Sequence, residues 1–224
     1  MSAHLQREID KLTGRMLDLS DEVVRNYEAA IRAFTLGDVD LAREVIDKDE
    51  LIDQHEVEVE EECLKILALH QPVAVDLRTI IAVLKINNDI ERIGDLAGNI
   101  ASRTLSLERV GRVDPPADLS GMARLVETMI RESLDAFLRL DTAMAQKVRI
   151  EDATVDQLHR EMYHHTEKAI KANPDKVASY FPYLSVARYL ERIADHATNI
   201  AEDVIYLVDG EISRHTNPEE AITP

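Results

Sequence analysis

Apolar residues recur at spacings of three and four along nearly the whole chain, the signature of amphipathic helices. Leu19, Val23, Tyr27, Ile31 and Phe34 form one stripe. Leu41, Val45, Ile52, Val59, Cys63 and Ile66 form a second, and Ile86, Ile90, Ile93, Ala97 and Ile100 a third. Turn-forming residues interrupt the periodicity at Gly37-Asp38, Gln71-Pro72, the Gly111 to Pro116 stretch, Leu140-Asp141 and Asn173-Pro174-Asp175. The pattern predicts six helices over roughly 4–36, 39–70, 74–108, 118–140, 142–172 and 182–210. Composition agrees with an all-α chain. Only 7 of the 224 residues are Gly and 7 are Pro, with no Trp and 4% aromatics.

The third and sixth helices carry nearly the same words. Glu91-Arg92-Ile93-Gly94-Asp95-Leu96-Ala97-Gly98-Asn99-Ile100-Ala101 returns as Glu191-Arg192-Ile193-Ala194-Asp195-His196-Ala197-Thr198-Asn199-Ile200-Ala201. The repeat reaches further. At an offset of 103, Leu19, Val23, Tyr27, Ile31 and Phe34 fall on Met122, Val126, Ile130, Leu134 and Phe137. Helix two falls on helix five at the same offset, with Asp49 on Asp152 and Asp53 on Asp156. The offset drops to 100 for helices three and six, so the length change lies in the loop before them. The chain is therefore an internal duplication of a three-helix unit. The units are expected at 1–110 and 117–214, followed by a flexible polar tail at 215–224.

The polar residues kept in both copies define the candidate chemistry. At about 100° per residue, with Glu91 at zero, Asp95 lies near 40° and Asn99 near 80°. The core stripe of the same helix lies between about 180° and 260°, and Lys85, Arg92 and Arg103 fall near 100–120°, where water is expected. Helix two presents Asp49, Asp53, Glu56 and Glu60 on one face; in helix five the matching positions are Asp152, Asp156, His159 and Tyr163. A single like-charged pair at i, i+4 destabilises a helix by only about 0.2–0.5 kcal/mol and is common on solvated faces. Four such pairs at equivalent places in a duplication point instead to two oxygen-rich metal sites. The expected ligands are Asp49, Asp53, Glu91, Asp95 and Asn99 in unit one, and Asp152, Asp156, Glu191, Asp195 and Asn199 in unit two. Iron, manganese, magnesium or zinc would suit such donors.

The formal net charge of −17 repels nucleic acid and anionic lipid and favours cations or a basic protein surface. The longest stretch free of Asp, Glu, Lys and Arg runs from Val177 to Ala187, far short of the ~20 residues of a membrane span. There is no apolar signal core at Met1 to Arg7, and a lone cysteine, Cys63, allows no disulfide within the chain. The expectation is a cytoplasmic protein with no direct membrane insertion. Cys63 and His55 read as core or core-edge residues, His196 as outward-facing, and Glu161 with His164 as a surface pair. No catalytic residue stands out. No phosphate loop or Ser-His-Asp set is present, and no base or nucleophile stands apart from the ligands. A metal-dependent hydrolase is thereby disfavoured, and a metal-free helical scaffold is the plainer alternative.

The duplicated motif, the Asp-x-x-x-Asp helices, the segment from Cys63 through His70-Gln71-Pro72 to Arg78, and Val204-Ile205-Tyr206-Leu207-Val208-Asp209-Gly210-Glu211 together resemble the PhoU family over nearly the whole chain. The resemblance implies two tandem three-helix bundles with pseudo-twofold symmetry, and a regulator that is not an enzyme. It implies a homodimer and an adaptor between the ATPase subunit of a phosphate ABC transporter and a phosphate-sensing histidine kinase, acting negatively. It also implies metal at the acidic motifs. Ala194 stands where family copies carry Gly, as Gly94 does in unit one, so the two sites are expected to be unequal at that position.

Overall fold

The computed structural model describes residues 3–210. Six helices follow in order: α1 (Ala3–Leu36), α2 (Val39–His70), α3 (Ala74–Val110), α4 (Leu119–Arg139), α5 (Thr142–Ala172) and α6 (Val177–Asp209). Aspartates start three of them. Asp38, Asp118 and Asp141 accept hydrogen bonds from the N–H of Leu41, Gly121 and Met144 at 3.0, 2.8 and 3.0 Å. Each satisfies a donor that the first helical turn leaves open. Asp38 and Asp141 occupy equivalent places in the two units, so the cap was duplicated with the helix.

One boundary departs from the expected pattern. A short 3-10 turn at Pro174–Lys176 leads into α6, which begins at Val177 and continues through Pro182. Proline ordinarily opens a helix because it cannot donate to the carbonyl four residues back. Here it is buried inside the helix, among other buried residues of the same segment, Tyr180, Tyr183 and Val186. The remaining expected tail, and residues 211–214 of the second unit, lie outside the described residues.

Helices α1–α3 form one bundle and α4–α6 the other. The bundles join mainly along α3 and α6, with a smaller contact between α1 and α4; α2 and α5 pair only within their own units. A single apolar cluster runs through both units, from Leu5 and Leu12 to Val204 and Leu207. Tyr27 donates to the Ala123 carbonyl at 2.8 Å, tying α1 to α4. Tyr183 meets Phe34 edge-on at 5.4 Å and donates to the Val113 carbonyl, fixing the linker.

The α3–α6 seam corrects three expectations. Lys85 is only partly in water: its Nζ lies 2.9 Å from Asp203, which is 2% exposed. Arg103 donates to the Tyr189 hydroxyl at 3.2 Å. His196 does not face outward, since its Nδ1 stands 2.8 Å from the Asp89 carboxylate. These pairs cross α3 and α6 in opposite directions along the sequence, so the two helices run antiparallel. The helical angles locate each residue relative to the core of its own unit. The second buried face, turned to the other unit, has no periodic signal of its own.

Candidate metal centre

Helices α2 and α3 bring the expected carboxylates of unit one together. Asp53, Glu91 and Asp95 each offer an oxygen, and these oxygens lie within 4.8 Å of one another. Two oxygens bound to one ion at about 2.0–2.6 Å can stand at most about 4–5 Å apart, so the trio has the span of a single cation site. The helical register explains the convergence. Glu91 and Asp95 are one turn apart on α3, and α2 runs alongside with Asp49 and Asp53 one turn apart.

Gly98 of α3 lies beside Asp49 of α2. A Cβ at that residue would lie 3.4 Å from the Asp49 carboxylate. Gly94 faces elsewhere: its Cβ would meet Ile52 at 3.2 Å and Val23 at 3.8 Å, in the core. The expected inequality at Gly94 and Ala194 is therefore a difference in core packing. The difference beside the carboxylates is Gly98 against Thr198.

Electrostatics mark the same residues. Burial, reinforced by the charges of Asp95 and Asp53, raises the Asp49 carboxyl to about 6. Burial and the charge of Asp95 push Glu91 to about 7, against the opposing influence of Arg92. Glu56 is raised as well, by burial and then by Glu60 and Asp53. The compensating charge is slight. Arg92 lies 3.0 Å from Asp95 and 3.3 Å from Glu91. Its approach to the Glu91 oxygen is outside hydrogen-bond geometry, and that oxygen and Asp49 Oδ1 are buried with no hydrogen-bond partner. Buried oxygens of this kind ordinarily find a donor or a cation. A hard, multivalent ion fits the donor set.

Unit two repeats the arrangement less completely. Burial, with the charges of Asp195 and Asp156, raises Asp152 to about 6, while the Thr198 hydroxyl opposes the shift. That hydroxyl is close to Asp152 but meets no hydrogen-bond geometry. Glu191 and Asp195 are raised too, mainly by burial. Among the described residues, however, no trio of unit two converges as Asp53, Glu91 and Asp95 do.

The amide nitrogens of the two asparagines make different contacts in the two units. Asn99 is exposed and donates to the Asp95 carbonyl of its own helix at 2.9 Å. Asn199 donates across the seam to Asp89 at 3.2 Å. Each step of four residues turns about 40° around the helix, so the third member of the motif has rotated about 80° away from the first.

Other expectations stand. His55 is satisfied by Glu22 at 2.8 Å, Glu161 and His164 are exposed, and burial pushes the Cys63 thiol up to about 12, where it is unreactive. Sequence reasoning missed Asn87. It lies one turn before Glu91, is fully buried, and donates to the Glu56 carboxylate at 2.8 Å and the Glu56 carbonyl at 3.0 Å. Its four-residue spacing from Glu91 was legible; its burial was not.

Comparison with known proteins agrees with this architecture. The PhoU domain model matches the chain twice, over residues 16–104 and 119–204. The chain is 36% identical over 216 residues to the phosphate-specific transport system accessory protein PhoU homolog of Aquifex aeolicus, covering 96% of this chain and 98% of that protein. It is 35% identical over the same length to the Pseudomonas aeruginosa homolog, covering 96% and 89%. The crystal structure of PhoU from Pseudomonas aeruginosa superposes with a TM-score of 0.88 at 35% identity, covering 92% of this chain and 99% of that one. The phosphate transport system regulatory protein PhoU from Streptococcus pneumoniae gives 0.83 at 29% identity, covering 93% and 98%.

Proposed function

This chain belongs to the PhoU family, and from that premise we propose that it is a cytoplasmic regulator of phosphate uptake and of the response to phosphate starvation. The observation that carries the reading is the pair of PhoU domains spanning both three-helix units, in a chain whose relatives are accessory and regulatory proteins of phosphate transport. The family is one of regulators, not enzymes, and the site contains carboxylates with no separate nucleophile or base beside them.

In this reading the protein is an adaptor between the ATPase subunit of a phosphate ABC transporter and a phosphate-sensing histidine kinase, and it holds the kinase response off when phosphate is plentiful. A net charge of −17 favours a basic docking surface on such partners and disfavours nucleic acid. Among the described residues no helix is long and apolar enough to cross a membrane, so attachment to the transporter would run through protein contacts. A homodimer belongs to the same reading.

The metal would sit on Asp53, Glu91 and Asp95, with Asp49 beside them, and on the corresponding carboxylates of unit two. Iron, manganese, magnesium or zinc bound there would neutralise crowded negative charge and pin α2 to α3. The chain's own Arg92 offsets part of the cluster's negative charge, 3.0 Å from Asp95 and 3.3 Å from Glu91.

Affinity purification of the full chain from cells grown in high and in low phosphate tests the adaptor role. Both the transporter ATPase and the sensor kinase are expected to accompany it. Absence of both partners in both conditions sinks the reading.

A further inference from the structure

Resting on the adaptor reading above, we propose that the turn between α2 and α3 is the surface that docks on the transporter's ATPase subunit, with Leu69, Val73, Val75 and Leu77 entering an apolar cleft bordered by Lys and Arg. All four residues are exposed, Leu69 and Val73 by 78% and 73%. A single exposed Leu or Val is ordinary on a protein surface, whereas four within nine residues of one turn make a patch.

The backbone of the turn is the independent observation. Gln71 and Ala74 have φ of 44° and 48°, a left-handed region that residues with a Cβ rarely adopt. Gln71 closes α2 by donating to the Leu67 carbonyl at 3.2 Å, and Ala74 opens α3. Val73 lies between them in extended backbone, with φ −130° and ψ 160°. Local strain of this kind clusters at binding and switch segments. Unit two lacks both features. There Leu69 corresponds to Ala172, Val73 to Asn173 and Val75 to Asp175, and no residue from 172 to 177 has a positive φ. The patch therefore belongs to one unit and not to the repeat.

Charge selects the occupant. Ahead of the turn, α2 carries Glu58, Glu60, Glu61 and Glu62. Arg15 lies 3.2 Å from Glu58 and Lys65 lies 3.6 Å from Glu62, two cations against four carboxylates. Beside the turn, a depression of about 360 Å³ between α1 and α2 is lined by Glu8, Glu62, Lys65, Ile66 and Leu69. An apolar patch with an acidic border is repelled by an anionic bilayer and is complementary to a protein cleft edged with cations. In the adaptor reading, attachment to the transporter runs through the ATPase subunit, and this patch supplies that contact.

Binding of the full chain to the purified ATPase subunit, followed by biolayer interferometry, tests the proposal. Leu69→Gln with Val73→Gln is expected to weaken it at least about 10-fold. Leu36→Gln with Phe181→Gln, on exposed apolar residues outside the turn, is expected to leave it unchanged. Glu61→Gln with Glu62→Gln is expected to slow association and to flatten its dependence on salt. Thermal melts confirm that each variant is folded. Unchanged binding in the turn variant, an equal loss in the Leu36, Phe181 control, or an unchanged salt dependence in the glutamate variant overturns this proposal and leaves the adaptor reading intact. A wild type that binds only the detergent-solubilised sensor kinase also overturns it, as does sedimentation with phosphatidylglycerol vesicles that the turn variant loses. A wild type that binds neither the ATPase subunit nor the kinase overturns both.

Discussion

Asp49 illustrates how a single residue carries the tension in this molecule. Its carboxyl lies in the α2–α3 interface, raised to about 6, and Glu91 and Asp152 are raised to about 7 and about 6. The ordinary values are 3.8 for Asp and 4.5 for Glu. In the metal-free protein, between about pH 4 and 7, the folded chain therefore binds more protons than the unfolded chain, and the unfolding free energy falls as pH rises. The expected result is a melting temperature that declines from pH 5 to pH 7.5 without metal, and a weaker decline when a divalent cation is present. Asp49→Asn removes one such charge. After discounting for partial exposure, the gain at pH 7.5 is about 1 kcal/mol, or about 2–4 °C in a chain of this size. Thermal melts of the two proteins across that range check it, and a variant that melts lower at pH 7.5 would show that the wild-type charge is already compensated. At this scale the sequence was informative wherever a residue and its helical angle sufficed. Oxygens of Asp53, Glu91 and Asp95 lie within 4.8 Å of one another, on the faces that their spacing implied. The spacing of Asn99 and Asn199 did not reveal that their amides donate to the Asp95 carbonyl and to Asp89.

Between elements, the polar contacts of the α3–α6 seam matter more than their number suggests. Lys85 lies over the Tyr206 ring at 5.2 Å and reaches the buried Asp203 at 2.9 Å. Removing one partner of a buried ion pair costs about 3–5 kcal/mol when nothing else supports the remaining charge. Asp203 has further interactions, so Lys85→Ala is expected to cost somewhat less, about 2–3 kcal/mol. An exposed pair such as Lys171 with Glu167 is worth about 0–1 kcal/mol, and Lys171→Ala should barely move the denaturation midpoint. Urea unfolding of the two variants under the same conditions makes the comparison; equal effects would show that the seam is open to water. This is also where the sequence was least legible. The six helices were close to the observed ones at every end but the start of α6, because Gly, Pro and Asp act locally. Pro182 misled because burial outweighed its local preference for a helix start. Lys85 and Arg103 looked solvated because nothing in the repeat of one unit encodes the partner face of the other.

Across the whole molecule, duplication supplied the plan and divergence supplied the joint. Equivalent positions in α3 and α6 differ where the two helices meet: Asp89 matches Tyr189, Leu96 matches His196, and Arg103 matches Asp203. Those substitutions make the seam a specific pairing of unlike halves, one that could be located only after the halves were placed together. They also bear on cooperativity. The apolar cluster passes without a break from Ile86, Ile90 and Ile93 of α3 to Val186, Leu190 and Ile193 of α6. Unit one alone would expose one side of α3 to water, together with Tyr27, which is 1% exposed and bonded to Ala123 in the other unit. The linker holds the same joint, with the Arg112 guanidinium donating to the carbonyls of Phe34 and Thr35 at 2.9 Å. Interfaces between separable domains are usually polar, whereas one apolar cluster spans both units here. The two units should therefore unfold together despite their separate ancestry. Scanning calorimetry of the metal-free chain is expected to give one transition, with a calorimetric enthalpy equal to the van't Hoff enthalpy. Two resolved transitions would mean that the seam is a docking contact between units that fold alone. In that case Lys85→Ala would shift neither transition strongly, whereas in a single cooperative unit it lowers the only one.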